Sequence, residues 1–187
     1  MHVVLTENCT ADGVIDLAAG WFDPANQSDD ELLSVTRAHM REQDALLLGR
    51  NTFESFRSYW PKQIDDSTGI AAHLNRVQKY VLSTTLQDPQ WEPTTILRTL
   101  DDVRALEDRP GRLGVTGSIS IAQQLVAADL IDEFRLFVYP VLVGEGPGVS
   151  AGVEPRDLEL VEATSFPSGV TLLRYDRRRP LARDRSA

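Results

Sequence analysis

Ala45-Leu46-Leu47-Leu48 is apolar at four consecutive positions and stops at Gly49. A strand with one face in water alternates polar and apolar side chains, whereas a short run that is apolar throughout is covered on both faces. This run therefore asks for a sheet held between two layers of helices, and such sheets are mostly parallel. Lys79-Tyr80-Val81-Leu82-Ser83 and Leu113-Gly114-Val115 are further short strands of the same kind, followed by Thr84-Thr85 and by Thr116-Gly117-Ser118. The stretches between the runs must then supply the helices.

They have the period for it. Ser28-Asp29-Asp30-Glu31 reads as a capping box that opens a helix to about Gln43, with Leu33, Thr36 and Met40 on one face. Further helices are expected from Asn51 to Tyr59 before Pro61, over 66–76, from the Thr99-Leu100-Asp101-Asp102 cap to Pro110-Gly111, and from Ile119 to Ala128. Val3-Val4-Leu5 is a first strand, 7–27 a long loop, Thr94 to Leu97 a weaker strand and Asp132 to Tyr139 a long one. Residues 157–164 and 169–175 alternate with period two around a Pro-Ser-Gly turn. The order predicts an α/β protein, a three-layer α/β/α sandwich with a mostly parallel sheet and a C-terminal antiparallel hairpin. One domain over 1–175 is expected, followed by a basic, mobile tail over 176–187.

Charge limits the function. The 187 residues carry 19 basic and 28 acidic side chains, a net charge of −9. Residues 174–187 hold six of the arginines, and without them the balance is 13 against 26, or −13. So acidic a body argues against nucleic-acid binding, and an anionic ligand would need a local basic pocket. Cys9 is the single cysteine, and His2, His39 and His73 lack ligand spacing, so no metal site is expected. No charged leader with a long apolar stretch and no apolar run of about 20 residues is present. The expectation is a cytoplasmic protein that does not touch membranes.

In open α/β sheets, ligands bind where strands end and helices begin, because a helix N-terminus offers unpaired N–H groups and a positive dipole end. Three such junctions stand out: Gly49-Arg50-Asn51-Thr52, Ser83-Thr84-Thr85 and Thr116-Gly117-Ser118. Gly49 gives a tight turn and room for a ligand. Arg50 can grip a phosphate through two N–H groups. Thr52 can add a hydroxyl. Each junction alone reads equally as a turn and an N-cap. Together they favour a long phosphate-bearing ligand such as a dinucleotide.

At this point the chain resembles a known family. "DALLLGRNTFESF" is similar to the Gly-Arg-x-Thr-aromatic-Glu segment of dihydrofolate reductases, and closer to stand-alone relatives of the reductase domain of bacterial riboflavin biosynthesis. "KYVLSTTL", "ADGVID" and above all "VTGSISIAQQLVAADLIDEFRLFVYPVLVGEGPGVS" resemble further family motifs in the expected order, over roughly residues 2–175. Where the two classical enzymes have Gly-Gly, this chain has Thr116-Gly117, and Thr116 would resist a cis bond that costs about 3 kcal/mol without proline. Gly117-Ser118 matches the stand-alone relatives. The zinc signature of the riboflavin deaminase half is not in the sequence, so the resemblance is to the reductase half alone.

The resemblance implies a dihydrofolate-reductase-like fold, NADPH as cofactor with NADH as the other candidate, no metal, and a homodimer. It places Arg50 at the adenosine 2′-phosphate or the neighbouring phosphates, Thr52 at the pyrophosphate, and Ser83 and Thr84 at the adenosine end. Gly117, Ser118 and Ile119 fall beside the pyrophosphate and nicotinamide ribose, and Gly49, Asn51 and Thr116 complete the cofactor set. For the hydride acceptor, a small pterin-, pyrimidine- or similar heterocycle, candidates are Trp21, Phe22, Phe53, Trp60 and Tyr139, with Asp12 as proton donor or orienting group. Asp12 reads also as the first residue of an Asp-Gly turn, and Trp21 and Trp60 as core residues. No counterpart of the folate-binding acid is found. A true dihydrofolate reductase and a nucleotide-binding module without turnover therefore stand as the alternatives. The segment with Phe134, Leu136 and Val138 alternating with Arg135, Phe137 and Tyr139 is apolar on both sides, as a strand near a dimer interface is.

Overall fold

β1 (His2–Thr10) runs through the middle of an eight-stranded sheet, between β5 (Arg112–Val115) and β6 (Glu133–Tyr139). The computed structural model describes residues 1–17, 20–23, 28–66, 68–150 and 153–178. Beyond β5 the order continues through β2 (Ala45–Gly49) and β3 (Gln78–Leu82) to β4 (Thr94–Leu97). Beyond β6 come β8 (Thr171–Arg177) and the edge strand β7 (Leu158–Ser165). The six strands from β4 to β6 are parallel, and β8 and β7 are antiparallel.

The apolar runs are central strands, as their patterning requires. All five residues of β2 are buried. Ala45 and Leu47 point into one core with Val103 of α4 (Leu100–Arg104) and with Ile121 and Leu125 of α5 (Ile119–Ala127). Leu46 and Leu48 point the other way, to Phe53 of α2 (Arg50–Tyr59) and Leu74 of α3 (Ile70–Arg76). On that second face Leu32 of α1 (Asp30–Arg41) packs on Phe137 and Leu172. The three layers are thus α1–α3, the sheet, and α4–α5. No described helix is long and apolar enough to cross a membrane.

Several boundaries differ from the sequence reading, for physical reasons. β1 does not stop at Leu5: Glu7 to Thr10 pair with Leu136 to Tyr139 of β6, so residues read as loop are strand. Their polarity hid this, since Glu7 and Thr10 are buried. The α1 cap is Asp29, not Ser28: its Oδ1 accepts from the amides of Glu31 and Leu32 (both 3.1 Å), and its Oδ2 from Ser168 (2.8 Å). The helix placed over 66–76 begins at Ile70, with Asp66 accepting from the Ala71 amide ahead of it. The helix after Thr99 ends at Arg104 rather than near Pro110. β8 reaches Arg177, so Asp176 and Arg177 belong to the sheet and not to the tail; Arg177 is fixed by Asp132 (2.7 Å). Residues 179–187 lie outside the described residues.

Candidate functional site

The carboxyl ends of β2, β3, β4 and β5 open into one cleft of about 710 Å³. This lies within the size range of small-molecule sites, roughly 300–1,000 Å³. β2 and α2 contribute Gly49, Arg50, Asn51 and Thr52, and the end of β3 contributes Ser83, Thr84 and Thr85. Arg98, Thr99 and Leu100 come from the β4–α4 junction, and Gly117, Ser118, Ile119, Gln123 and Gln124 from α5 and the turn before it. All three junctions singled out in the sequence meet here. Of the ten residues expected to hold a cofactor, Thr116 alone is not in the wall.

The junctions also touch one another. Gly49 has φ −78, which any residue can adopt, so backbone freedom is not what glycine supplies here. A Cβ on Gly49 would lie 2.2 Å from Ser118 Oγ and 3.0 Å from Ile121 Cγ1. The missing side chain makes room for α5 rather than for a ligand, and brings the openings of α2 and α5 side by side. Thr52 Oγ1 spans the gap and donates to the Gly117 carbonyl (3.1 Å), and Gly117 sits at φ +67.

These two helices begin without a capping side chain, whereas Asp29 caps α1 and Thr99 caps α4. Uncapped first-turn amides are unsatisfied donors at the positive end of the helix dipole and suit an anion. Two guanidiniums reinforce the choice of charge, and no carboxylate is among the described lining residues. Arg50 is held in place by Glu54 (Nε–Oε1 3.0 Å) and Thr85 (Nη1–Oγ1 2.8 Å). Arg98 donates to the Ser83 carbonyl (2.8 Å). The Ser83 hydroxyl is turned inward and accepts from the amides of Thr85 (3.2 Å) and Leu86 (3.0 Å), so it shapes the wall while Thr84 and Thr85 are exposed.

Sequence reasoning passed over Arg98. The capping box from Thr99 to Asp102 is legible, but a strand as short as β4 gives no sign in sequence that its carboxyl end opens into a cleft. Glu7 is hidden too, because in sequence it falls in a polar stretch that reads as loop. It is buried on β1, and its Oε1 accepts from the Gly117 amide (3.2 Å).

The sequence matches the family of RibD C-terminal domains over residues 1–172. The chain belongs to this family. A RibD C-terminal domain is a reductase domain, and family members typically use a nicotinamide cofactor. The Bacillus subtilis (strain 168) protein YyaP, itself uncharacterised, is 29% identical to this family member over 179 residues, covering 93% of this chain and 94% of its own. A solved structure described as a riboflavin biosynthesis protein from Shewanella sp. PV-4 superposes with a TM-score of 0.67 at 22% identity, covering 96% of this chain and all of that one. A pyrimidine reductase-like protein from Corynebacterium diphtheriae superposes at 0.61 with 14% identity, covering 96% and 92%. At these identities the two likenesses establish the fold.

In this RibD C-terminal domain, the residues expected to face an acceptor divide into three groups. Trp21, Phe22 and Tyr139 form one cluster of edge-on rings, with centroids 5.4–5.9 Å apart, and Trp21 Nε1 donates to the Asp16 carbonyl (2.7 Å). Burial pushes the Tyr139 hydroxyl up to about 12, so it stays a neutral donor. Trp60 belongs elsewhere, packing edge-on against Phe56 and Tyr59. Phe53 has no exposure at all; it stacks near Trp91 in the core under Arg57, which removes it from any acceptor surface. Its aromatic character reflects core packing, where an aromatic at the first turn of α2 fills the space beside β2.

Asp12 is a staple. Thr10 Oγ1 donates to its Oδ1, and the amides of Val143 (3.1 Å) and Gly144 (2.6 Å) donate to Oδ2. The Thr10 hydroxyl first, then the Gly144 amide, hold its carboxyl below the usual range. An ionised carboxylate with both oxygens occupied ties the Asp12-Gly13 loop to the loop after β6 and is ill-suited to give up a proton. Among the described residues no group of His, Cys, Asp and Glu is arranged to hold a metal ion.

Proposed function

We propose that this protein is an NADPH-dependent reductase that passes a hydride to a small pterin-, pyrimidine- or similar heterocyclic acceptor. One observation carries the reading: in a chain of net charge −9, two uncapped helices and two arginines surround a cleft with no carboxylate among its described lining residues. That donor set fits a ligand with several phosphates. Membership of a reductase-domain family supports a nicotinamide dinucleotide as that ligand.

In this reading the bound nicotinamide supplies the hydride. The chain holds and orients it. The first-turn amides of α2 and α5 receive the pyrophosphate, with Thr52 between them. Arg50 and Arg98, on either side of Ser83–Thr85, receive the 2′-phosphate, which only NADPH carries. The Trp21–Phe22–Tyr139 rings offer a flat apolar wall against which a planar heterocycle can lie. Substrate positioning against the nicotinamide is where such an enzyme gains its rate. The same reading includes a homodimer. On the α5 side of the sheet, Leu136, Leu173, Tyr175 and Leu160 share one face by register, and Leu158 and Leu160 on the edge strand are exposed.

The test is a fluorescence titration with NADPH and NADH, followed by absorbance assays of NADPH oxidation with dihydrofolate and a panel of pterins and pyrimidines. Saturable NADPH binding with turnover of one panel member is expected. Turnover of dihydrofolate would make the protein a dihydrofolate reductase, binding without any turnover would make it a nucleotide-binding module, and no binding would end the reductase reading.

A further inference from the structure

Two glutamates are buried in this sheet, and their surroundings are opposite. Glu133 on β6 faces Arg135 (2.7 Å), Arg174 (2.9 Å) and Arg112 (3.2 Å). Glu7 on β1 is 6% exposed and has no ion pair among the described residues. Its contact is the Gly117 amide, from the turn between β5 and α5. Cys9, two residues along β1, is the titratable neighbour that feels its charge. α5 carries no ionisable side chain, and the register partner of Glu7 on β6 is Leu136. On α2, Arg50 is turned to Glu54 and Thr85, and Arg57 to the Pro89 carbonyl. Asp12 is turned to the loop after β6.

A buried carboxyl without a cation is expensive, and an apolar or amide side chain would avoid the cost. Here the acid hydrogen-bonds a residue of the cleft wall, Gly117. Gly117 is gripped at both of its backbone polar groups: Glu7 accepts from its N–H, and Thr52 donates to its carbonyl. That residue leads into α5 and is tied to α2 through Thr52.

We propose that Glu7 is a positioning residue of the cleft: it fixes the Gly117 peptide, and the charge it carries sets how well the gap between α2 and α5 receives an anion. The inference rests on the reading of the cleft as a nicotinamide-dinucleotide site. Burial pushes the Glu7 carboxyl up to about 8, against a smaller lowering by the Gly117 bond. At neutral pH the acid is therefore uncharged and holds the peptide without repelling phosphate. Above that range it gains a negative charge in a poorly screened place beside the bound anion, and affinity falls.

The experiment is the dissociation constant of NADPH and of NADH between about pH 6.5 and about pH 9.5 for the wild type and Glu7→Gln, which keeps shape and acceptor oxygen but cannot ionise. The wild type should lose about tenfold in affinity for both coenzymes across pH 8, while Glu7→Gln stays flat at the wild-type neutral-pH affinity. Buried Lys79, whose ammonium burial pulls down to about 8, remains in both proteins and serves as the control. A flat wild-type profile, or the same loss in Glu7→Gln, overturns the proposal and leaves the cofactor reading standing. No binding at any pH defeats the cofactor reading, and the proposal with it. Should Glu7→Gln fail to fold, the pH titration of the wild-type Gly117 amide by NMR decides: bound NADPH must raise its midpoint, by reciprocity of linkage, and an unmoved midpoint overturns the assignment.

Discussion

Arg50 meets any ligand already engaged, its Nε on Glu54 and its Nη1 on Thr85. An exposed i,i+4 pair of this kind is worth only a few tenths of a kcal/mol, so a phosphate displaces it readily. What Glu54 provides is aim. Arg50→Ala is expected to weaken NADPH by about tenfold to a hundredfold and NADH by much less, since a charge-assisted phosphate contact is worth roughly 1.5–3 kcal/mol. Paired titrations check this, and equal losses would remove the 2′-phosphate from Arg50. Gly49 makes a different demand. Gly49→Ala pushes its Cβ into Ser118 and Ile121. It should cost about 1–3 kcal/mol in urea unfolding and open the gap between the two helices. Gly49, Arg50 and Thr52 stand out in the sequence because a glycine, a cation and a hydroxyl directly follow an apolar run, although the same residues serve equally as a turn and an N-cap. Their reasons were only half legible: the space beside Gly49 belongs to Ser118, which is remote in sequence. Phe53 was misread for the same cause, since nothing local says whether an aromatic on α2 faces Trp91 or a ligand.

Among the elements, β6 joins the two halves of the sheet and carries the densest charge in the core. Glu133 accepts from Arg135 and Arg174, and Arg135 also reaches Glu42 (2.9 Å). Burial alone would raise the Glu133 carboxyl; the Arg135 hydrogen bond, with the Arg135 and Arg174 charges, outweighs it and holds the group down at about 2. The sign follows from linkage. A carboxylate whose folded value lies below its unfolded one stabilises fully above pH 4.5, and that contribution is lost as pH falls toward 2. Glu133→Gln should therefore lower neutral-pH stability by about 3–5 kcal/mol, because Arg135 is left buried with a weaker partner. It should also flatten the acid limb of the stability profile, as thermal unfolding across pH would record. Glu7 acts in the opposite direction. Its raised value means that its contribution is complete below pH 4.5 and lost as pH rises through about 8. Apolar elements were readable from pattern alone. β1 was cut short in the sequence reading because Glu7, Asn8 and Thr10 look like loop residues, and only pairing with β6 and the contact to Gly117 explain polar side chains on a central strand.

At the scale of the whole molecule, the two sheet edges differ. β4 is short and lies beside the cleft, whereas β7 leaves Leu160 (56%) and Val161 (50%) exposed. With Leu136 and Leu173 on the adjoining face, this is more apolar surface than an isolated strand edge normally presents. In the homodimer reading, Leu160→Glu should convert the protein to a monomer in sedimentation velocity without loss of NADPH binding. A wild type that sediments as a monomer at all concentrations would refute the interface. The layered architecture was legible from the order of runs and periods, but the neighbour relations were not, because pattern does not say which strand lies next to which. One of those relations has a bearing on biogenesis. Within this domain β1 is made before every other strand, yet its two neighbours are β5 and β6, the latter ending at Tyr139. It has no partner strand until β5 has been made, and its second neighbour comes later still. Because its pairings join distant parts of the chain, refolding belongs in the slower range of milliseconds to seconds. A nascent chain halted before β5 would display the apolar Val3–Leu5 stretch without either neighbouring strand, a natural target for holdase chaperones.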